Sequence, residues 1–259
     1  MKIAVQCMIG THKAQCEDHA LVYEFDSVQT RLFNQVRCQV ETSGPLLLGV
    51  ADGVGGNPGA HQASRYSLGV FPDFWRKLEK TDDRAQLLDL LRGINRGLID
   101  YSADIPGKES MATTFSAVYI DDARCQLVHT GNTRISVMHS RYLKQVTTDF
   151  TTYQYLLDQG NIEAAERCNR CEIISCLGGG DERNLSRAEF KTVFGPDQGR
   201  APRLVLLTSD GVHEFLELDR MEEILSDDAT DDLEKTDILI REALDAGSAD
   251  DKTAVIIRI

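Results

Sequence analysis

LLLGVADG, residues 46–53, carries an almost wholly apolar run into an aspartate and a glycine, and RLVLLTSDG, residues 203–211, does so again far along the chain. Apolar runs of this length between turn residues read as strands buried on both faces. A carboxylate at the tip of such a strand is held by the core beneath it. The following glycine lets the backbone turn sharply and leaves its carbonyl approachable. A single Asp-Gly is ordinarily only a turn. Here two of them follow buried strands, Glu17-Asp18 precedes a third apolar segment, and Asp250-Asp251 precedes the strand-like TAVIIRI. Carboxylates gathered this closely repel one another, and some protonate unless a cation intervenes. Oxygen donors at strand ends suit hard cations such as Mg²⁺ or Mn²⁺.

Working outward, strands are expected over Lys2–Met8, Ala20–Phe25, Leu46–Ala51, Phe115–Ile120, Cys125–Thr130, Arg134–Met138, Leu204–Thr208 and Thr253–Ile259. Each is short, apolar or β-branched, and bounded by turn residues. Two long helices are expected. Gln62–Leu78 repeats Tyr66, Val70, Phe74 and Leu78, with Pro72 implying a kink or break. Arg84–Tyr101 carries the stripe Leu87, Leu91, Ile94, Leu98 and Tyr101. Shorter helices are expected at Asp219–Leu225 and Asp231–Leu244. Strand clusters separated by helix pairs, without strict alternation, point to an α+β layered architecture. No linker or repeat divides the chain, so residues 1–259 read as one domain.

Composition narrows the function. Lys and Arg number 28 against 41 Asp and Glu, a formal charge of −13. That disfavours non-specific nucleic-acid binding and docking on an anionic membrane. No apolar run approaches the ~20 residues of a transmembrane helix. The opening KIAVQCMI is too short and polar for a secretory signal, and seven dispersed cysteines suit a reducing cytoplasm. There is no phosphate loop, no H-E-x-x-H helix, no G-x-S-x-G elbow, and no cysteine followed six positions later by arginine.

Seven segments resemble, in order, those of the metal-dependent PP2C-type (PPM) serine/threonine protein phosphatases of the compact bacterial kind. CEDHALVYEF resembles the N-E-D opening, LLLGVADGVGGNPGAHQAS the A-D-G-M-G-G segment, and SMATTFSAVYI the G-T-T strand. VHTGNTRISVM resembles the G-D-S-R hairpin, LKQVTTDFTTYQYLLDQG the T-x-D-H segment, RLVLLTSDGVHEFL the L-x-S-D-G-L segment, and ADDKTAVIIRI the D-N-x-T strand. The resemblance implies a four-layer α-β-β-α sandwich, two central antiparallel sheets flanked by helices, with a flap over about 147–183. It implies two central Mn²⁺ or Mg²⁺ ions. Asp52 would bridge them, Asp210 and Asp250 would complete the first, and the Gly53 carbonyl, Glu17 and Asp18 would serve the second directly or through water. Its activity would be in-line hydrolysis of phosphoserine and phosphothreonine in proteins by a metal-bridging water. The implied partners are phosphoproteins and a cognate serine/threonine kinase, and the implied form is a cytoplasmic monomer.

Departures mark particular positions. Lys13 stands at the phosphate-gripping arginine and offers charge without the two-pronged donor. Val54 stands where some members have a histidine, with His61 expected on the surface of the next helix. Asn132 stands at the aspartate of a third, weaker metal site, and a neutral amide should bind that ion poorly. Phe150 replaces a histidine and reads as a packing residue. Asp251, at the family's asparagine, reads either as a support behind the ligands or as a solvated turn. Cys168, Cys171 and Cys176 fall in the flap and read as free thiols, with zinc as the lesser alternative. Two rival functions remain: an inactive pseudo-phosphatase that binds phosphoproteins, and an acidic metal-binding regulatory module.

Overall fold

The computed structural model describes residues 1–195 and 201–259. Its first antiparallel sheet holds β1 (Lys2–Met8), β4 (Val36–Glu41), β9 (Arg134–His139), β10 (Tyr142–Gln145), β13 (Leu204–Thr208) and β14 (Lys252–Arg258) in the order β10-β9-β13-β14-β1-β4. The second holds β2 (Asp18–Glu24), β3 (Gln29–Phe33), β5 (Leu46–Asp52), β7 (Phe115–Ile120), β8 (Cys125–Thr130) and β12 (Glu189–Phe194) in the order β12-β8-β7-β5-β2-β3. A short ribbon pairs β6 (Ala112–Thr113) with β11 (Leu177–Gly178). The helices are α1 (Ala60–Trp75), α2 (Arg84–Ala103), α3 (Thr152–Asp158), α4 (Ile162–Arg167), α5 (Asp210–His213), α6 (Leu218–Ser226) and α7 (Asp232–Asp245). None among the described residues is long and apolar enough to cross a membrane.

Period-two alternation assembles the layers. In β5, Leu46, Leu48 and Val50 join Ile3, Val5, Val205 and Val255 in a core between the two sheets. Leu47 and Ala51 point the other way, onto Leu68, Phe71 and Trp75 of α1 and Leu91, Ile94 and Leu98 of α2. On the opposite outer face, Leu204, Leu206 and Ile256 pack with Leu225, Leu239 and Ile240 of α6 and α7. The result is the expected four-layer α-β-β-α sandwich.

Several expectations need correction. The first helix begins two residues early and ends at Trp75 rather than Leu78. Pro72 does not break it: the helix continues one further turn, and the Arg76 N–H bonds the Pro72 carbonyl. The helix tolerates this proline, forgoing only the bond its nitrogen would have given the Leu68 carbonyl. The α2 stripe is buried from Leu87 to Leu98, but Tyr101 is exposed and stacks on Tyr66 with ring centroids 4.9 Å apart. Strands β3, β4, β6, β10, β11 and β12 were not expected; β3 and β4 are edge strands, and although Val36, Cys38 and Val40 of β4 alternate towards the core, both strands are short, polar and largely exposed. Helices α3 and α4 were also missed, because α3 buries no residue and α4 buries only Ala165.

Candidate active site

Four strand ends from the two sheets meet at one edge of the sandwich. β2 and β5 pair so that Asp18 lies directly opposite Asp52. In the other sheet β13 pairs with β14, which brings Asp210, just after β13, to the same end as Asp250 and Asp251, just before β14. Ser209 ties the sheets together: its hydroxyl donates to Asp18 Oδ2 at 2.6 Å and accepts from the Thr253 N–H at 2.9 Å. The Asp52 backbone is pinned by its neighbouring loop. Its carbonyl accepts from the Thr114 N–H at 2.8 Å and from the Thr113 hydroxyl at 2.9 Å.

The two glycines serve a different purpose from the one expected. Neither adopts a positive φ, so neither is needed for a left-handed turn. A Cβ on Gly53 would lie 2.4 Å from the Ala60 carbonyl oxygen in the first turn of α1, and one on Gly211 would lie 2.0 Å from the Asp251 carbonyl oxygen. Close backbone approach demands glycine at both.

The electrostatics are those of crowded, desolvated acids. Burial, then the neighbouring Asp18, Asp210 and Asp250, holds the Asp52 carboxyl well above the usual range. Burial raises Asp18 to about 7, with Ser209 opposing and Asp251 and Asp210 adding to the rise. Burial and Asp250 raise Asp210. Asp18 Oδ1 and Asp210 Oδ1 are buried with no partner in the protein. Orphaned carboxylate oxygens in a desolvated acidic cluster are what a hard cation would satisfy, so the residues fit a divalent metal.

Lys13 and Asp251 organise the rim. The Lys13 ammonium lies 2.5 Å from Asp250 Oδ1, 2.9 Å from Glu17 Oε2 and 3.0 Å from Asp251 Oδ2. It therefore rests on carboxylates. Asp251 is buried and accepts the Gly10 and Glu17 N–H groups, each at 2.7 Å, which excludes the solvated-turn reading. Lys252 was missed in the sequence: its side chain is fully buried and its ammonium donates to the Asp250 carbonyl at 2.6 Å. Only the strand register could have revealed it.

Asn132 is buried, and its amide donates to Asp210 Oδ2 at 3.0 Å. Burial, then the charge of the neighbouring Asp210, raises the Cys171 thiol. Cys168 instead donates to the Ala165 carbonyl, and no cysteine joins a metal-ligand cluster among the described residues. His61 is half-buried rather than on the surface. Its ring nitrogen bonds the Cys16 carbonyl at 2.7 Å and its ring packs edge-on to His19. Val54 bonds through its backbone N–H to the Ala112 carbonyl. A second acidic cluster, Asp149, His213 and Glu214, brings ligand-type atoms within 4.8 Å of one another. Arg134 already fills it, 2.6 Å from both carboxylates.

No protein-family profile matches the chain. Among curated proteins it is 26% identical over 220 residues to the serine/threonine phosphatase stp of Listeria monocytogenes, covering 82% of this chain and 84% of that one. It is 29% identical over 217 residues to the serine/threonine protein phosphatase PstP of Mycobacterium tuberculosis, covering 83% of this chain and 40% of that one. The solved Mycobacterium tuberculosis PstP structure superposes with a TM-score of 0.77 at 26% identity, covering 99% of this chain and 97% of that one. A PstP catalytic domain in complex with two manganese ions superposes at 0.69 with 23% identity, over 99% and 98% of the two chains. Over most of its length the chain is similar to bacterial serine/threonine protein phosphatases, in sequence and in fold.

Residues 147–183 leave the sandwich and return to it. Arg134 grips Asp149 at the start, the Phe150 N–H bonds the Gly131 carbonyl at 2.8 Å, and the Phe150 ring stacks on buried His129. The returning strand bonds back, Ile174 N–H to the Phe150 carbonyl and Thr152 N–H to the Glu172 carbonyl. Between these clamps α3 and α4 pack on each other.

Proposed function

We propose that the chain hydrolyses phosphoserine and phosphothreonine in proteins with the help of divalent cations. One observation carries this reading: an acidic cluster, fed by both sheets and buried at Asp18, Asp52, Asp210 and Asp251, that its own cations do not neutralise. Glu17, Asp18, Asp52, Asp210, Asp250 and Asp251 are six carboxylates faced by the two ammoniums of Lys13 and Lys252, leaving four formal negative charges. That equals the charge of two divalent ions, the number of manganese ions in the PstP complex.

Asp52, Asp210 and Asp250 would hold the first ion, and Asp52, the Gly53 carbonyl, Glu17 and Asp18 the second. Bound divalent cations supply water of lowered pKa and offset phosphoryl charge. The chain's residues supply rigidity. Ser209 aims Asp18, the Asn132 amide aims Asp210, and Asp251 fixes the 10–17 loop through two backbone N–H groups. Lys13 is the cation of the rim, and with Glu17 and Asp250 engaged by metal it would be free to meet a phosphate. Asn132 offers one carbonyl oxygen to a third ion and no charge, so that site would be weak. The 147–183 segment would act as the flap of a single domain spanning 1–259. A cytoplasmic monomer acting against a serine/threonine kinase completes the proposal.

A second reading rests on Lys13. Its ammonium already contacts three of the carboxylates, as expected of a pseudo-phosphatase that dispenses with metal. Hydrolysis of p-nitrophenyl phosphate and a phosphothreonine peptide with Mn²⁺, and its loss with chelator, separates the readings. Absence of turnover at every Mn²⁺ concentration would leave the pseudo-phosphatase.

A further inference from the structure

Beside the flap, the surface carries a groove of about 420 Å³ that no part of the proposed chemistry uses. One wall is α2, where Arg84, Leu88 and Arg92 recur at four-residue spacing and so share one helix face. The opposite wall is the segment leading into β12, with Arg187 and Phe190, and Phe150 closes the end towards the flap. The volume lies within the range of ligand-holding clefts.

Its charge is the reverse of the molecule's. The chain carries −13 overall, yet three arginines line this groove and no carboxylate does. Arg92 has one exposed partner, Asp89, at 3.4 Å. Arg84 and Arg187 form no ion pair among the described residues. Their guanidinium groups lie over aromatic rings instead, Arg84 5.7 Å from the Phe190 centroid and Arg187 5.3 Å from that of Tyr155. Stacking of this kind holds a guanidinium flat while leaving its donors free. Arg187 is further fixed through its backbone. Its carbonyl accepts the hydroxyls of Thr130 and Ser175 at 2.9 and 2.8 Å, and its N–H donates to Ser175 Oγ at 2.9 Å.

The groove is also coupled to the acidic cluster. Phe150 bonds Gly131, and the next residue, Asn132, holds Asp210.

We propose that this groove binds a carboxylate-rich segment of the phosphoprotein substrate, with a leucine or phenylalanine seated on Leu88, Phe150 and Phe190 and its Asp or Glu side chains on Arg84, Arg92 and Arg187. The substrate role rests on the phosphatase reading; binding of the acidic segment does not. Charge complementarity of this kind sets specificity and on-rate, and weakens with salt.

The test uses the whole protein and a fluorescein-labelled, unphosphorylated peptide of Asp, Glu, Leu and Phe, read by anisotropy in chelator. Binding should weaken at least about tenfold in the double variant Arg84→Gln with Arg187→Gln and fall with salt, while a Lys/Ser/Leu peptide stays unbound. Both arginines are exposed, so the fold should survive, and an unchanged melting temperature checks it. In turnover, kcat/KM for a phosphothreonine peptide bearing the acidic segment should fall about tenfold through KM, with p-nitrophenyl phosphate unaffected. Equal peptide affinity for wild type and double variant overturns the groove assignment, whatever the activity. Arginine-dependent binding without any phosphatase turnover supports the groove and removes the substrate role.

Discussion

Asp52-Gly53 and Asp210-Gly211 look alike in sequence and are built differently. Asp52 ends a strand, and its carbonyl is held by two threonines of the Thr113–Thr114 segment. Asp210 opens the short helix α5, and its carboxylate is held by Asn132. Gly53 makes room for the first turn of α1, Gly211 for the chain entering β14. The Gly211 carbonyl is taken by the Ser248 hydroxyl at 2.7 Å. The comparison teaches that a strand-tip carboxylate can be fixed from the backbone or from the side chain, and that the glycine beside it reports crowding.

Removing the charge is the harshest test of the pair. Asp52→Asn and Asp210→Asn should each lower kcat at least about a thousandfold with Mn²⁺, if both carboxylates hold metal. Their effects on stability should diverge. In chelator, Asp52→Asn relieves repulsion from three carboxylates and should raise stability by about 1 kcal/mol or more. Asp210→Asn also disturbs the Asn132 contact and should gain less. Wild-type turnover in either variant would break the shared assignment.

The glycines come next. Gly211→Ala should destabilise by about 3 kcal/mol, and Gly53→Ala by somewhat less, because backbone oxygens cannot swing aside as a side chain can. Urea unfolding measures both. Equal stability of Gly211→Ala and wild type would mean that the β14 entry gives way.

A pH series sharpens the electrostatic side. Asp18 titrates at about 7 in the folded chain, against about 3.9 when unfolded. A raised folded pKa contributes stability that is full below about pH 4 and is lost as pH rises through about 7. In chelator, the melting temperature of Asp18→Asn should therefore gain on wild type as pH climbs from 4 to 7, and saturating Mn²⁺ should erase the gain. A difference independent of pH would mean that Asp18 is not strained.

The smallest effect belongs to Asn132, which supports only one of the two corners. Asn132→Asp should raise kcat two- to fivefold at moderate Mn²⁺ by supplying charge for a third ion, and should destabilise the chelated protein by facing Asp210 with a like charge. Unchanged kcat and metal dependence would leave Asn132 with its role in holding Asp210.

The legible parts of the fold were those with strong periods. Lys2–Met8, Phe115–Ile120, Cys125–Thr130 and Leu204–Thr208 match their strands end for end, because both faces of each are covered and the apolar signal is unbroken. The edge strand QTRLF carries little of that signal, VRCQVE alternates but is short and largely exposed, and α3 and α4 bury almost nothing for a pattern to record. Asp18, Asp52, Asp210 and Asp250 could be placed at one end from strand tips alone. What could not be read was which neighbour each would meet. Lys13 lies on three carboxylates, Lys252 beneath Asp250, and Cys171 by Asp210, because those contacts depend on register and on how the flap returns. Arg84, Arg92 and Arg187 are just over 100 positions apart at their extremes and form one groove only through the packing of α2 on the second sheet.

The pairing of β1 with β14 has a consequence for how the molecule is made. Ile3 lies opposite Ile257, and β14 sits between β13 and β1 in the middle of its sheet. Closing so long a loop is entropically slow, and contacts of this separation form late. Until β14 is delivered by the ribosome and docks, the first sheet is split in two and Asp250 has no place beside Asp210. A nascent chain would present open sheet edges and an incomplete set of carboxylates, so capacity to bind metal would arrive in one step with completion of the sheet.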